Sequence, residues 1–187
     1  MNTSVKSLSV EQFEREIGSR LGAFDLVGAA NLAADCRAAW PQASAGWLLG
    51  SIVALMGLDK TTALALVEQR LATHPNDVQC LLQKAECLQA LGDHPAALVA
   101  AEAAALHGGK IPEAVDAIAE FLKQTGEHER ARVLYDRALA DSPRNPELLA
   151  KRAVVHRFLG NLELAEDRKS TRLNSSHRIA SRMPSSA

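Results

Sequence analysis

Residues 112–145 read PEAVDAIAEFLKQTGEHERARVLYDRALADSPRN, two apolar-periodic runs parted at Gly126 and closed at Pro143. Ala119 and Leu122 in the first run, and Ala131, Tyr135, Ala138 and Leu139 in the second, recur at helical spacing, which predicts helices over 112–125 and 128–141. The unit is repeated. Ala131 belongs to a lattice of alanines at 29, 63, 97, 131 and 165, a step of 34 residues, and Pro41, Pro75 and Pro143 and Gly92, Gly126 and Gly160 fall in register with it. A helix pair repeated at this period cannot bury its apolar face alone, so successive pairs are expected to stack into a solenoid with a one-dimensional core.

The framework of residues 112–145 resembles the tetratricopeptide repeat, in which small residues let neighbouring helices approach and a large residue one turn beyond the second-helix alanine fills the space. By that resemblance the expected fold is an all-α, right-handed solenoid of helix-turn-helix units at 10–43, 44–77, 78–111, 112–145 and a partial unit at 146–166. Trp47, Ala63 and Pro75 mark the second unit; Ala85, Gly92, Ala97 and Ala104 mark the third, which has Gly109 in place of the proline. The first shows only Ala29 and Pro41 clearly, and the fifth shows Ala153, Gly160 and Ala165 before the pattern stops, a truncation inside its second helix. Helices are expected at about 10–21, 25–39, 45–56, 60–73, 78–91, 94–107, 112–125, 128–141 and 146–159, with Ser9 and Gln12 forming a capping box on the first. Residues 1–9 are expected to be a disordered N-terminus. A lone helix at 146–159 would leave Leu148, Leu149, Val155 and Leu159 short of apolar cover, with Leu162, Leu164 and Ala165 opening the missing partner.

Composition changes at Asp167. Residues 167–187 hold six serines and five Lys or Arg with almost no apolar stripe. Their two blocks, 167–177 and 180–187, resemble the in-frame translation of a short-read sequencing adapter, which would make the segment non-native; the alternative is a disordered Ser/Arg tail that binds an acidic partner or is phosphorylated. Setting the tail's five basic and one acidic residues aside reduces the chain's 21 basic and 22 acidic residues to 16 and 21, a formal charge of −5 for residues 1–166. Those units lack clustered Lys and Arg, so neither nucleic acid nor an anionic membrane is the expected partner.

The 187-residue chain is 47% hydrophobic, enough for a continuous core. It shows no secretory signal and no stretch long enough to span a bilayer, and the expected location is cytoplasmic. Cys36, Cys80 and Cys87 form no CxxC pair and each lies in a helix-periodic stretch, so packing rather than a disulfide or metal site is expected.

Stacked pairs leave the first helix of each unit lining a concave groove, and side chains at i, i+3 or i+4, and i+7 point into it. By register these are Leu48, Ile52 and Leu55; Gln79, Leu82, Glu86 and Gln89; Glu113, Asp116, Glu120 and Lys123; and Ala150, Val154 and Arg157. The wall should run from apolar through acidic to basic, which suits an extended or helical peptide offering an apolar anchor and a basic residue. Leu48, Ile52 and Leu55 equally suit packing against the preceding unit. Some members of the resembled family clamp a partner's C-terminal carboxylate with lysines, or bind peptide backbone with an asparagine ladder. Here Leu48, Leu82 and Asp116 stand where a clamp would need cations, and no asparagine recurs at the period.

Catalytic patterns are missing: there is no phosphate-binding glycine loop, no HExxH and no serine-centred elbow. His94 and His128 are one repeat apart and are expected to be solvated or capping, and Gly108-Gly109 is too short for nucleotide binding. The expected chemistry is therefore binding of a protein or peptide, with no cofactor, metal or catalysis in this chain. Residues 152–166 are also similar to the closing repeats ahead of the catalytic domain in bacterial sulfotransferases that carry such repeats. That resemblance implies, as an alternative, a substrate-recruiting arm of a longer enzyme whose sulfonate-donor motif is absent here.

Overall fold

The computed structural model describes residues 8–108 and 111–160. Among these, every regular element is an α-helix: α1 (Val10–Gly22), α2 (Leu26–Ala39), α3 (Ala45–Met56), α4 (Lys60–Thr73), α5 (Val78–Leu91), α6 (His94–Gly108), α7 (Pro112–Gln124), α8 (His128–Asp141) and α9 (residues 146–160). Residues 1–7 of the expected disordered N-terminus, the tail at 167–187, the helix opening at Leu162, Leu164 and Ala165, and residues 161–166 of the segment with sulfotransferase likeness lie outside the described residues.

Local chemistry explains where several of the helices begin. The Ser9 hydroxyl accepts from the Gln12 backbone N–H at 3.3 Å while Gln12 Oε1 accepts from the Ser9 N–H at 2.7 Å, a reciprocal capping box. Asp25, Asp59 and Asp93, again one repeat apart, each accept a backbone N–H at the start of the second helix of their unit, from Gly28, Thr62 and Ala96 at 2.9, 3.0 and 3.1 Å. Just before each of these aspartates the chain turns through the left-handed region: Phe24 (φ 57°), Leu58 (φ 65°) and Gly92 (φ 87°), with Gly126 (φ 83°) ahead of Glu127 in the fourth unit. Glycine adopts this conformation without a Cβ clash, whereas Phe24 and Leu58 hold it under strain. The first unit, faint in sequence, is thus as regular in backbone as the rest.

The helices pair within units and stack between them. Consecutive helices pack throughout α1–α8, and α1 with α3, α3 with α5, and α5 with α7 also touch, so the first helices of the units form one layer. The lattice alanines Ala29, Ala63, Ala97 and Ala131 are fully buried. Gly46 lets α3 approach α2 at backbone distance, since a Cβ there would sit 2.8 Å from the Arg37 backbone nitrogen. Arg37 then lies over the Trp47 ring at 5.5 Å and donates to the Gly46 carbonyl at 2.9 Å. Without the proline, the third unit's second helix α6 runs to 15 residues where α2, α4 and α8 have 14.

The core is discontinuous. One buried apolar cluster, including Phe13, Ile17, Ala33 and Val53, belongs to α1–α3, and a larger one runs from Leu81 through Tyr135 to Val155. Between them lie buried polar groups: Ser51 Oγ and Cys87 Sγ are 3.5 Å apart, and Gln83 Nε2 donates to that sulfur at 3.9 Å. Arg70, 6% exposed, ties α4 to the start of α5 through Asp77, the residue that caps α5, at 3.0 Å, and meets the His74 ring at 3.3 Å. All three cysteines are free and buried, and burial pushes their thiols up, that of Cys80 to about 12. Burial of this kind keeps a thiol protonated and suits packing.

Two sequence expectations change. Leu148 and Val155 are not left uncovered, being 4% and 0% exposed, because α9 seats them in the larger cluster beside α7 and α8 residues; Leu149 remains exposed. His128 is neither solvated nor capping: its ring stacks on Phe158 at 5.4 Å, and its Nδ1 is buried with no partner among the described residues. His94 does sit exposed, with Nδ1 2.7 Å from Gln89 Oε1.

Candidate functional site

The contacts among α1, α3, α5 and α7 place the first helices side by side, and the candidate residues lie on them and on α9. Leu48, Ile52 and Leu55 on α3 are half-buried, as are Leu82 and Gln89 on α5, while Gln79 and Glu86 are exposed. Leu82 leans on the larger core cluster, and Gln89 is engaged with His94 at the turn. The Glu113 side chain falls outside the described residues. On α9, Val154 is half-buried, and Ala150 and Arg157 are exposed.

The acidic stretch of this wall is largely compensated. Asp116 Oδ2 receives the Lys151 ammonium at 2.8 Å, and its Oδ1 accepts from the Tyr135 hydroxyl at 3.4 Å. Hydrogen bonds to Asp116 and Glu147 raise the Lys151 ammonium, while burial, helped by Asp116, lifts the Tyr135 phenol to about 12. Glu120 is held by Lys123 and, at 3.4 Å, by Gln124, and those bonds keep its carboxyl below the ordinary glutamate value. Glu86 differs from both. Desolvation by the surrounding protein raises its carboxyl, although the residue is exposed. Lys151 was missed by sequence register. It sits 35 residues after Asp116, one beyond the repeat period, and also pairs with Glu147 at i, i+4, a spacing that could have marked it.

Half-open clefts lie elsewhere. One of about 410 Å³ between α6 and α8 is lined by Ala101, Leu106, Arg130, Val133 and Arg137; another of about 400 Å³ is bordered by Leu26, Val27, Gly57 and Leu66. None of the candidate wall residues lines either. Among the described residues no group of His, Cys, Asp and Glu could hold a metal, and no helix is long and apolar enough to cross a membrane.

The family description "Tetratricopeptide repeat" matches residues 112–155, spanning α7, α8 and the first part of α9. Among solved structures, the chain is similar to TTC0263, a thermophilic TPR protein in Thermus thermophilus, with 19% identity and a TM-score of 0.60 over 79% of this chain and 81% of that one. It is also similar to MamA in two crystal structures, at 13% identity and TM-score 0.53 over 74% of this chain and 81% of that chain, and at 12% and 0.52 over 95% and 97%. At these identities the likeness is one of fold. No curated protein sequence matches the chain.

Proposed function

We propose that the chain is an interaction scaffold that binds a protein or peptide along the concave wall formed by its first helices. The observation that carries this reading is the layer of stacked first helices, which presents a strip of half-buried apolar residues, Leu48, Ile52 and Leu55, beside the polar side chains of α5 and α7. Tetratricopeptide repeats generally mediate protein association, and an extended or helical peptide suits an open wall better than a small molecule does. Ile52→Lys places a charge in the apolar strip without touching the fully buried core. Partner capture by the full chain, followed by affinity measurement on the captured partner, should show binding weakened by about tenfold or more. Unchanged affinity in a variant with wild-type helicity would move the binding surface elsewhere.

A further inference from the structure

We infer that the concave wall selects a peptide with a lysine or arginine close to an aliphatic side chain, the cation meeting Glu86 and the aliphatic group packing against Ile52. This rests on the groove reading above and names the chemistry of its ligand.

Ile52, Glu86, Glu120 and Val154 occupy equivalent positions one repeat apart on α3, α5, α7 and α9. The acidic groups of α7 are already engaged, Glu120 with Lys123 and Asp116 with Lys151. On α5, Lys84 turns away from Glu86 and pairs with Glu68 of α4 at 2.8 Å. Glu86 has neither an ion pair nor a hydrogen bond among the described residues. Surrounding protein desolvates it, whereas Glu11, Asp25, Asp59, Glu120 and Glu129 are all held down by hydrogen bonds. A carboxylate with no partner gains more from an incoming cation than one already paired, and the charge-assisted bond strengthens as the bound peptide excludes water. Packed helices lie roughly 8–10 Å apart, about three residues of extended chain, so the cation and the aliphatic group should be separated by about that number of positions.

The test is selection of a random short-peptide display library on the full chain, followed by titration of an enriched peptide against variants checked for helicity. Wild type should enrich peptides with Lys or Arg about three residues from Leu, Ile or Val. Glu86→Gln should weaken the enriched peptide by about tenfold, while Glu102→Gln, the same charge change on α6, leaves it unchanged. If Ile52→Lys abolishes binding but Glu86→Gln leaves affinity intact, or the enriched peptides carry no cation, the assignment to Glu86 is wrong and the groove reading stands. If nothing is enriched, or binding survives Ile52→Lys, the groove reading falls and this inference falls with it.

Discussion

Phe24 and Leu58 stand where the third and fourth units carry Gly92 and Gly126, and all four have positive φ. Both bulky side chains are 81% exposed, so packing does not repay the backbone cost. Leu58→Gly should therefore stabilise the fold by about 1 kcal/mol, read as a higher urea midpoint at unchanged slope. A lower midpoint would mean that the extra chain entropy of glycine outweighs the relieved strain. Glu86 carries a second residue-scale consequence. Its carboxyl is raised by desolvation in the folded chain, so the folded state holds that proton more tightly than the unfolded one. The associated stability is present below the ordinary glutamate value and is lost as pH rises through the raised value. Glu86→Gln should accordingly melt higher than wild type at neutral pH and equal to it in acid below the ordinary value. A pH-independent difference in thermal melts would show that ionisation is not the cause.

At the scale of elements, the repeat joints depend on polar contacts that periodicity does not display. Arg70 and Asp77 pair at 3.0 Å with side chains 7% and 11% exposed, and Asp77 also caps α5 through the Cys80 N–H at 3.3 Å. Removing one partner of a buried pair leaves the other charged and desolvated, so Arg70→Ala should cost about 3 kcal/mol in chemical denaturation. A loss within the few tenths typical of an exposed site would show that water reaches Asp77. The helix boundaries themselves were legible because caps and stops are local: the Ser9 box and the Pro41, Pro75 and Pro143 turns appear where the spacing puts them. The aspartate series at 25, 59 and 93 was equally available in the sequence and marks the second-helix starts more sharply than the histidines do.

For the molecule as a whole, the break between the α1–α3 cluster and the larger cluster ending at Val155 predicts uneven cooperativity, since a repeat stack couples only through neighbouring interfaces. Under mild denaturant, hydrogen exchange should open α1–α3 before α5–α8, with α4 as the joint. Simultaneous exchange across all helices would mean that the Ser51, Gln83 and Cys87 seam couples the clusters as firmly as apolar packing does.

The sequence by itself determined the all-α class, the register of the repeats and the helix ends, because these follow from a step of 34 residues and from caps that act within a few residues. Only the tertiary structure decided which charges cancel. Lys151 on Asp116 and Arg152 on Asp136 depend on long side chains reaching across helices, and a pattern along one helix does not encode where those tips meet. The same holds for the cover over Leu148 and Val155 and for the stacking of His128 on Phe158, which come from the packing of α9 rather than from its own spacing.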